Sequence, residues 1–240
     1  MARGRLITLG GIDSSGKSTQ AELLVARLQR EGYPVATMKF PTYGTPSAKD
    51  VEDYLNGRFG PPETVDPYRA SGFYAENRRQ ECGPIREGLA QGRHYVLDRY
   101  QESNIGHQGG KFAGAEERKR FLLWLDDLEF VKNGIPRPDL VILLHMPAYV
   151  SFQFIERRDK GKDYMDSGTT ADGHENLAHL RATERAYLDA AAQFHWRIVE
   201  CTRAGLPREI IENPNIPPLD KVRTPDDIHQ DIYRIVTSLL

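Results

Sequence analysis

Gly11-Ile12-Asp13-Ser14-Ser15-Gly16-Lys17-Ser18 fits the phosphate-loop pattern G-x-x-x-x-G-K-[ST] and runs on into Thr19 and Gln20. Leu6-Ile7-Thr8-Leu9 before it is a short apolar, β-branched run, and Leu23, Leu24 and Leu28 after it fall at helical spacing, so the loop is expected between a strand and a helix. In that setting the backbone N–H groups from Gly11 to Ser18 converge at a helix N-terminus, where the macrodipole favours anions. The glycines let the backbone approach a phosphate, Lys17 brings a cation to the β- and γ-phosphates, and the Ser18 hydroxyl suits Mg²⁺. The stretch therefore predicts a nucleotide site, with Gly11, Ser14, Ser15, Gly16, Lys17, Ser18 and Thr19 as its phosphate-side residues.

Working outward, the spacing predicts a first helix ending near Glu31-Gly32 and a second strand over Pro34 to Phe40, with a loop from Pro41 to Pro46 at the edge where open α/β sheets bind ligands. Val51, Tyr54 and Leu55 suggest a short helix, and Asn56 to Pro67 reads as irregular. One long helix is expected from Tyr68 to about Ala90, kinked by Pro84. His94 to Leu97 reads as a strand running into Asp98-Arg99-Tyr100, and Glu116 to Asn133 as an amphipathic helix. Asp139 to Leu144 is the most apolar run and is expected as a central strand. Helices follow over Tyr149 to Arg158 and Glu175 to Phe194, with a loop rich in Lys, Asp, Gly and Thr between them. After a short strand at Trp196 to Val199, proline-rich Arg203 to Pro225 reads as an extended surface excursion, and Thr224-Pro225-Asp226-Asp227 as a helix start. Five strands alternating with helices make a parallel α/β sheet covered on both faces, and 240 residues without internal repeat read as one domain, 1–240.

Composition narrows the function. A formal net charge of −2, from Lys+Arg 32 against Asp+Glu 34, sets up no global field for nucleic acid or an acidic membrane. Two distant cysteines, Cys82 and Cys201, and no apolar secretory start point to a reducing, cytoplasmic setting without disulfide or zinc. No apolar run approaches the ~20 residues that span a bilayer, so a soluble protein is expected. A guanine switch would carry N-K-x-D, which is absent, and the chain is short for a motor. A small-molecule kinase must bring two anionic phosphates together and needs cations beyond Lys17.

Further clusters meet that need. Asp98-Arg99-Tyr100, Phe40-Pro41, Tyr74 to Arg78, Ser103-Asn104 and Asp172 to Glu175 resemble, as a set, the motifs of the thymidylate kinases, from Arg5 to the last helix. The resemblance implies a phosphate-loop fold with strand order 2-3-1-4-5, transfer of phosphate from ATP·Mg²⁺ to dTMP, and a homodimer; nucleic acid and membrane are not expected partners. It implies that Asp13 accepts from the deoxyribose 3′-hydroxyl, that Tyr74 stacks on thymine, and that Arg78, on the same helix face at i+4, reads the base carbonyl edge. Arg99 would clamp both phosphates, Asp98 with Ser18 would hold Mg²⁺, and Ser103 and Asn104 would meet the thymine amide edge. Phe40, Pro41, His107, Gln108, Asp172 and His174 would line the dTMP site.

Residues 157–175 resemble the lid of that family. Some members carry a catalytic arginine inside the phosphate loop; Ser14 and Ser15 stand there in this chain, so the donor-side cation is expected from Arg157, Arg158, Lys160 or Lys162. Many relatives also have an arginine shortly after Phe-Pro, whereas Thr42-Tyr43-Gly44 follows Pro41 here, leaving Arg99, Lys39 and loop N–H groups for the acceptor phosphate unless acceptor binding is altered. Two rival expectations are a kinase for another nucleotide or nucleoside on the same fold, and a catalytically idle nucleotide-binding regulator.

Overall fold

The computed structural model describes residues 2–160 and 176–240, with the side chains of 158–160 also left undescribed. Strand β1 (Leu6–Gly10) is buried along its whole length, as expected of a short apolar run enclosed on both faces. It pairs in parallel with β3 (His94–Asp98) on one side and with β4 (Leu140–His145) on the other. β2 (Val35–Lys39) and β5 (Arg197–Glu200) complete the order β2-β3-β1-β4-β5, the order implied by the resemblance. β4 is thus an interior strand as its apolarity suggests, but the middle position belongs to β1.

Helix α1 (Lys17–Arg30) follows the phosphate loop and inserts Leu24 and Leu28 into the same cluster as Ile7 and Leu9, while Leu6 turns the other way to join Leu97, Ile85 and Leu89. Burying each such leucine is worth about 1.5–3 kcal/mol, so the loop hangs between two firmly anchored elements. A one-turn 3₁₀ segment (Pro46–Ala48) and α2 (Lys49–Leu55) follow β2. The long helix expected over 68–90 is instead two. α3 (Pro67–Glu81) stops at Cys82, and Pro84 sits in the first turn of α4 (Gly83–Ala90), where its missing N–H costs nothing.

Three further departures bear on the site. Residues 101–109, not expected to be helical, form α5 (Gln101–Gly109). The helix expected over 116–133 is α6 (Ala115–Asp126) continued by a wider π-helical stretch, Asp127–Lys132, which holds Glu129 fully buried. The Arg203 to Pro225 excursion contains two single-turn helices, α9 (Arg208–Ile211) and α10 (Pro218–Lys221), and a lysine, Lys221, with no exposed surface. α7 (Ala148–Lys160), α8 (Leu177–Phe194) and α11 (Pro225–Thr237) fall where the sequence places them, and Thr224 caps α11 by accepting from Asp227 N–H.

His145 ties three elements together at the end of β4. Its Nδ1 lies 2.7 Å from Glu200 at the end of β5, and its Nε2 lies 2.9 Å from Glu184 of α8. Glu184 also accepts from the Ala148 N–H that opens α7, at 3.0 Å. Burial alone would lower the imidazole pKa, but the two carboxylates raise it to about 9 from 6.5. A group whose folded pKa lies above its unfolded one contributes stability that is complete below the unfolded value and is lost as pH rises through the folded value. Thermal melts of wild type and His145→Gln across this range should therefore differ most at and below pH ~6.5, with the gap closing through pH ~9; a gap independent of pH would contradict the charged clasp.

Candidate active site

The loop joining β1 to α1 is built around a backbone that few residues tolerate. Gly11 has φ 149°, and a Cβ there would sit 2.7 Å from the Leu144 carbonyl oxygen, so only glycine fits. Gly16, at φ 89°, is the N-cap of α1 and supplies no side-chain cap, and no acid occupies the first turn. The leading N–H groups of α1 are therefore left for an external anion. Lys17 curls back beneath the loop, donating to Gly11 O at 2.9 Å and Ile12 O at 2.7 Å. Burial, with Arg99 nearby, lowers its pKa to about 8. Ser151 at the start of α7 donates to the Asp13 carbonyl and braces the loop from the other side.

The β1 and β3 registers place Leu9 opposite Asp98, so the two strand ends finish level and their loops meet. Arg99, at φ 73°, turns its guanidinium onto Asp13, with Nη2 2.7 Å from Oδ1. Burial would push the Asp13 carboxyl up, yet His107, Lys17 and Arg99 together hold it well below the usual carboxylate range. Beside this pair the Ser18 hydroxyl donates to Asp98 Oδ2 at 2.5 Å, and Asp98 Oδ1 is buried with no hydrogen-bond partner among the described residues. An orphaned carboxylate oxygen next to a hydroxyl is an all-oxygen donor set of the kind Mg²⁺ takes. No cluster of three or more His, Cys, Asp or Glu suited to a metal occurs among the described residues.

Two cavities flank the loop. The first, of about 310 Å³, is lined by Asp13, Lys39, Phe40, Pro41, Tyr43, Leu55, Tyr74, Arg78, Arg99, Tyr100, Ser103, Asn104, His107 and Gln108. It gathers every acceptor-side residue anticipated from the sequence that lies among those described. Asp172, His174 and Lys162 lie outside the described residues, as do the side chains of Arg158 and Lys160, whereas Arg157 is exposed near the end of α7. The second cavity, of about 450 Å³, opens on the other side, between Ser14, Ser15, Gly16, Thr19 and Gln20 of the loop and α1, Met146 and Phe154, and the Arg203, Leu219, Val222, Arg223, Thr224, Pro225 and Ile228 group. Its lining is mostly apolar, and no motif in the sequence marks it, because tertiary folding alone brings the stretch after β5 to the phosphate loop.

Arg78, expected from the resemblance to read the base edge, also sits in a buried ion pair. It is 2% exposed, and its Nε, 3.0 Å away, and Nη2 both donate to Oε1 of the buried Glu129, while Nη1 donates to Tyr100 O at 3.3 Å. Arg78 lines the first cavity while its guanidinium holds α3, the π-helical stretch and the Asp98-Arg99-Tyr100 turn together. Asn104 is likewise fixed, donating to Ser71 O of α3 at 3.1 Å. Cys82 and Cys201 are both buried and free, and burial pushes the Cys201 thiol up to about 12.

A parallel sheet of this order, with a phosphate loop at the end of its middle strand and a cavity on each side of that loop, one of them lined by the Asp13–Arg99 pair, defines a P-loop nucleotide kinase fold. The sequence profile of the thymidylate kinase family matches residues 9–212. The thymidylate kinase of Mycobacterium tuberculosis is 32% identical over 191 residues, covering 78% of this chain and 86% of the relative. That of Thermomicrobium roseum is 34% identical over 209 residues, covering 85% and 89%. The solved thymidylate kinase of Candida albicans superposes with a TM-score of 0.66 at 25% identity, over 99% of this chain and 93% of that one. The chain belongs to the thymidylate kinase family.

Removing one partner of a buried ion pair leaves the other charge stranded. Arg78→Ala should therefore cost ~3–5 kcal/mol in urea unfolding, and a loss under about 1 kcal/mol would show that the Glu129 pairing does not hold these elements together.

Proposed function

We propose that this chain phosphorylates dTMP to dTDP with ATP and Mg²⁺. The observation that carries the reading is a pair of cavities flanking the phosphate loop: one lined by Asp13, Arg99, the aromatic Tyr74 and the guanidinium of Arg78, suited to an acceptor nucleotide, and an apolar one across the loop, suited to a donor base. Membership of the thymidylate kinase family favours dTMP as acceptor over other monophosphates, and nothing in the site favours an idle regulator.

In this reading Gly11, Ser14, Ser15, Gly16, Lys17, Ser18 and Thr19 hold the ATP phosphates, with Lys17 released from its carbonyl contacts to take them. Asp98 and Ser18 would hold Mg²⁺, which when bound neutralises charge building on the β- and γ-oxygens. Tyr74, Arg78, Ser103, Asn104, His107, Phe40 and Pro41 hold the thymidine, Asp13 takes the 3′-hydroxyl, and Arg99 spans the two phosphates. Lys39 and Arg99 both line the acceptor cavity and together answer for the arginine that many relatives carry after Phe-Pro. The acceptor phosphate is already an anion, so no general base is required and positioning and charge neutralisation carry the rate. The reading keeps a single domain with residues 157–175 as its lid, including Asp172 and His174 on the acceptor side. Arg157 or Arg158 supplies the donor-side cation. It also takes the protein as a cytoplasmic homodimer, for which the exposed Leu123 of α6 and Val131 of the π-helical stretch offer apolar surface.

A coupled assay over dTMP, dCMP, UMP, dGMP and thymidine with ATP tests the assignment. Expected is preferential turnover of dTMP, lost with EDTA and restored by Mg²⁺; preferential turnover of another monophosphate or of thymidine would overturn it.

A further inference from the structure

The proline-rich excursion between β5 and α11 has no part in the chemistry above, and the family match ends inside it, at residue 212. Its ends are sewn together: Thr202 bridges Val222 in antiparallel fashion, Arg203 N–H donates to Lys221 O at 2.9 Å, and Arg223 N–H donates to Cys201 O at 2.9 Å. Between those ends Pro207, Pro214, Pro217 and Pro218 have no N–H to give, so a backbone ladder cannot hold it. The anchor is a side chain.

Lys221 has no exposed surface, and its ammonium donates to Ile211 O at 2.9 Å, Asn213 O at 2.7 Å and Gln153 Oε1 at 2.8 Å. No carboxylate pairs with it among the described residues, and burial, with Arg157 nearby, holds its pKa below the ordinary lysine value. Three donors are met by three acceptors, two from the excursion and one from α7. Gln153 reciprocates, its Nε2 reaching Pro214 O and Ile216 O at 3.4 Å each. On α7 the next residue, Phe154, lines the larger cavity, and on the excursion Leu219 and Val222, either side of Lys221, line the same cavity. The clamp thus fixes the gap between two walls of one space.

We propose that Lys221, through Gln153, is a positioning residue for the donor nucleotide, setting the separation between Phe154 and the Leu219–Val222 wall that encloses the donor base. This rests on the reading of that cavity as the donor site. An apolar residue could fill the volume but would take the ammonium away from Ile211 O, Asn213 O and Gln153 Oε1, and the excursion would lose its register on α7.

Calorimetric affinity for a non-hydrolysable ATP analogue, AMP-PNP, reads the effect, beside the KM for dTMP and the melting temperature. Lys221→Met and Gln153→Leu should each weaken AMP-PNP by roughly tenfold or more with the KM for dTMP within about twofold. Lower melting temperatures with AMP-PNP affinity unchanged, or equal losses for both ligands, would overturn the proposal. If Lys221→Met does not fold, Gln153→Leu decides. Leu219→Glu separates the two claims. If it leaves AMP-PNP binding intact, the cavity is not the donor site; if it weakens binding while the clamp variants do not, only the role of Lys221 fails.

Discussion

Everything in the site leans on one contact, the Arg99–Asp13 ion pair at 2.7 Å, which joins the turn after β3 to the phosphate loop after β1. It exists because the parallel register ends both strands level, and because Arg99 adopts a left-handed backbone that aims its guanidinium inward. With side chains 31% and 23% exposed, the pair adds at most about 1 kcal/mol to stability, so its consequence is geometric. It sets a cation and an anion at the seam between the first cavity and the phosphate loop, with Lys17 beneath and the Ser18–Asp98 pair alongside.

The two sides of that seam are held in different ways. The acceptor side is rigid through buried polar contacts: Arg78 on Glu129, Asn104 on Ser71, and Gln108 Nε2 on the Tyr54 hydroxyl at 3.2 Å. Such contacts specify shape, because each leaves an unpaired buried group if the neighbouring helix shifts. The second cavity is apolar and leans on a segment that neither strand nor long helix supports, where Lys221 and Gln153 make the polar ties. A kinase that must accept one base edge and a flexible triphosphate has reason to divide the work this way.

The architecture was legible in the sequence because it rests on local signals. The phosphate loop, the short apolar strands and the Thr224-Pro225 cap each carry their own physics, and together they leave little choice but a parallel sheet. Helix α5 was not legible, since its buried residues are Gln101, Glu102, Asn104, Gln108 and two glycines beside the single hydrophobe Ile105, and no hydrophobic periodicity marks it. The same holds for Arg78, whose burial is set by a glutamate 51 residues away, and for Lys221, whose acceptors lie on two separate segments. The cations, aromatics and acid of the acceptor side could be named from motifs. The apolar wall of the second cavity could not, because Phe154, Leu219 and Val222 belong to no motif.

In the proposed reaction the γ-phosphoryl group passes directly from donor to acceptor beside the Arg99–Asp13 pair, with no enzyme-bound phosphate between. The stereochemical course at phosphorus tests this most directly, using ATP made chiral at the γ-position with oxygen isotopes and sulfur and dTMP as acceptor. Inversion of configuration is the predicted result, as a single in-line displacement requires; retention would mean two successive displacements through a covalent phosphoenzyme and would contradict the account.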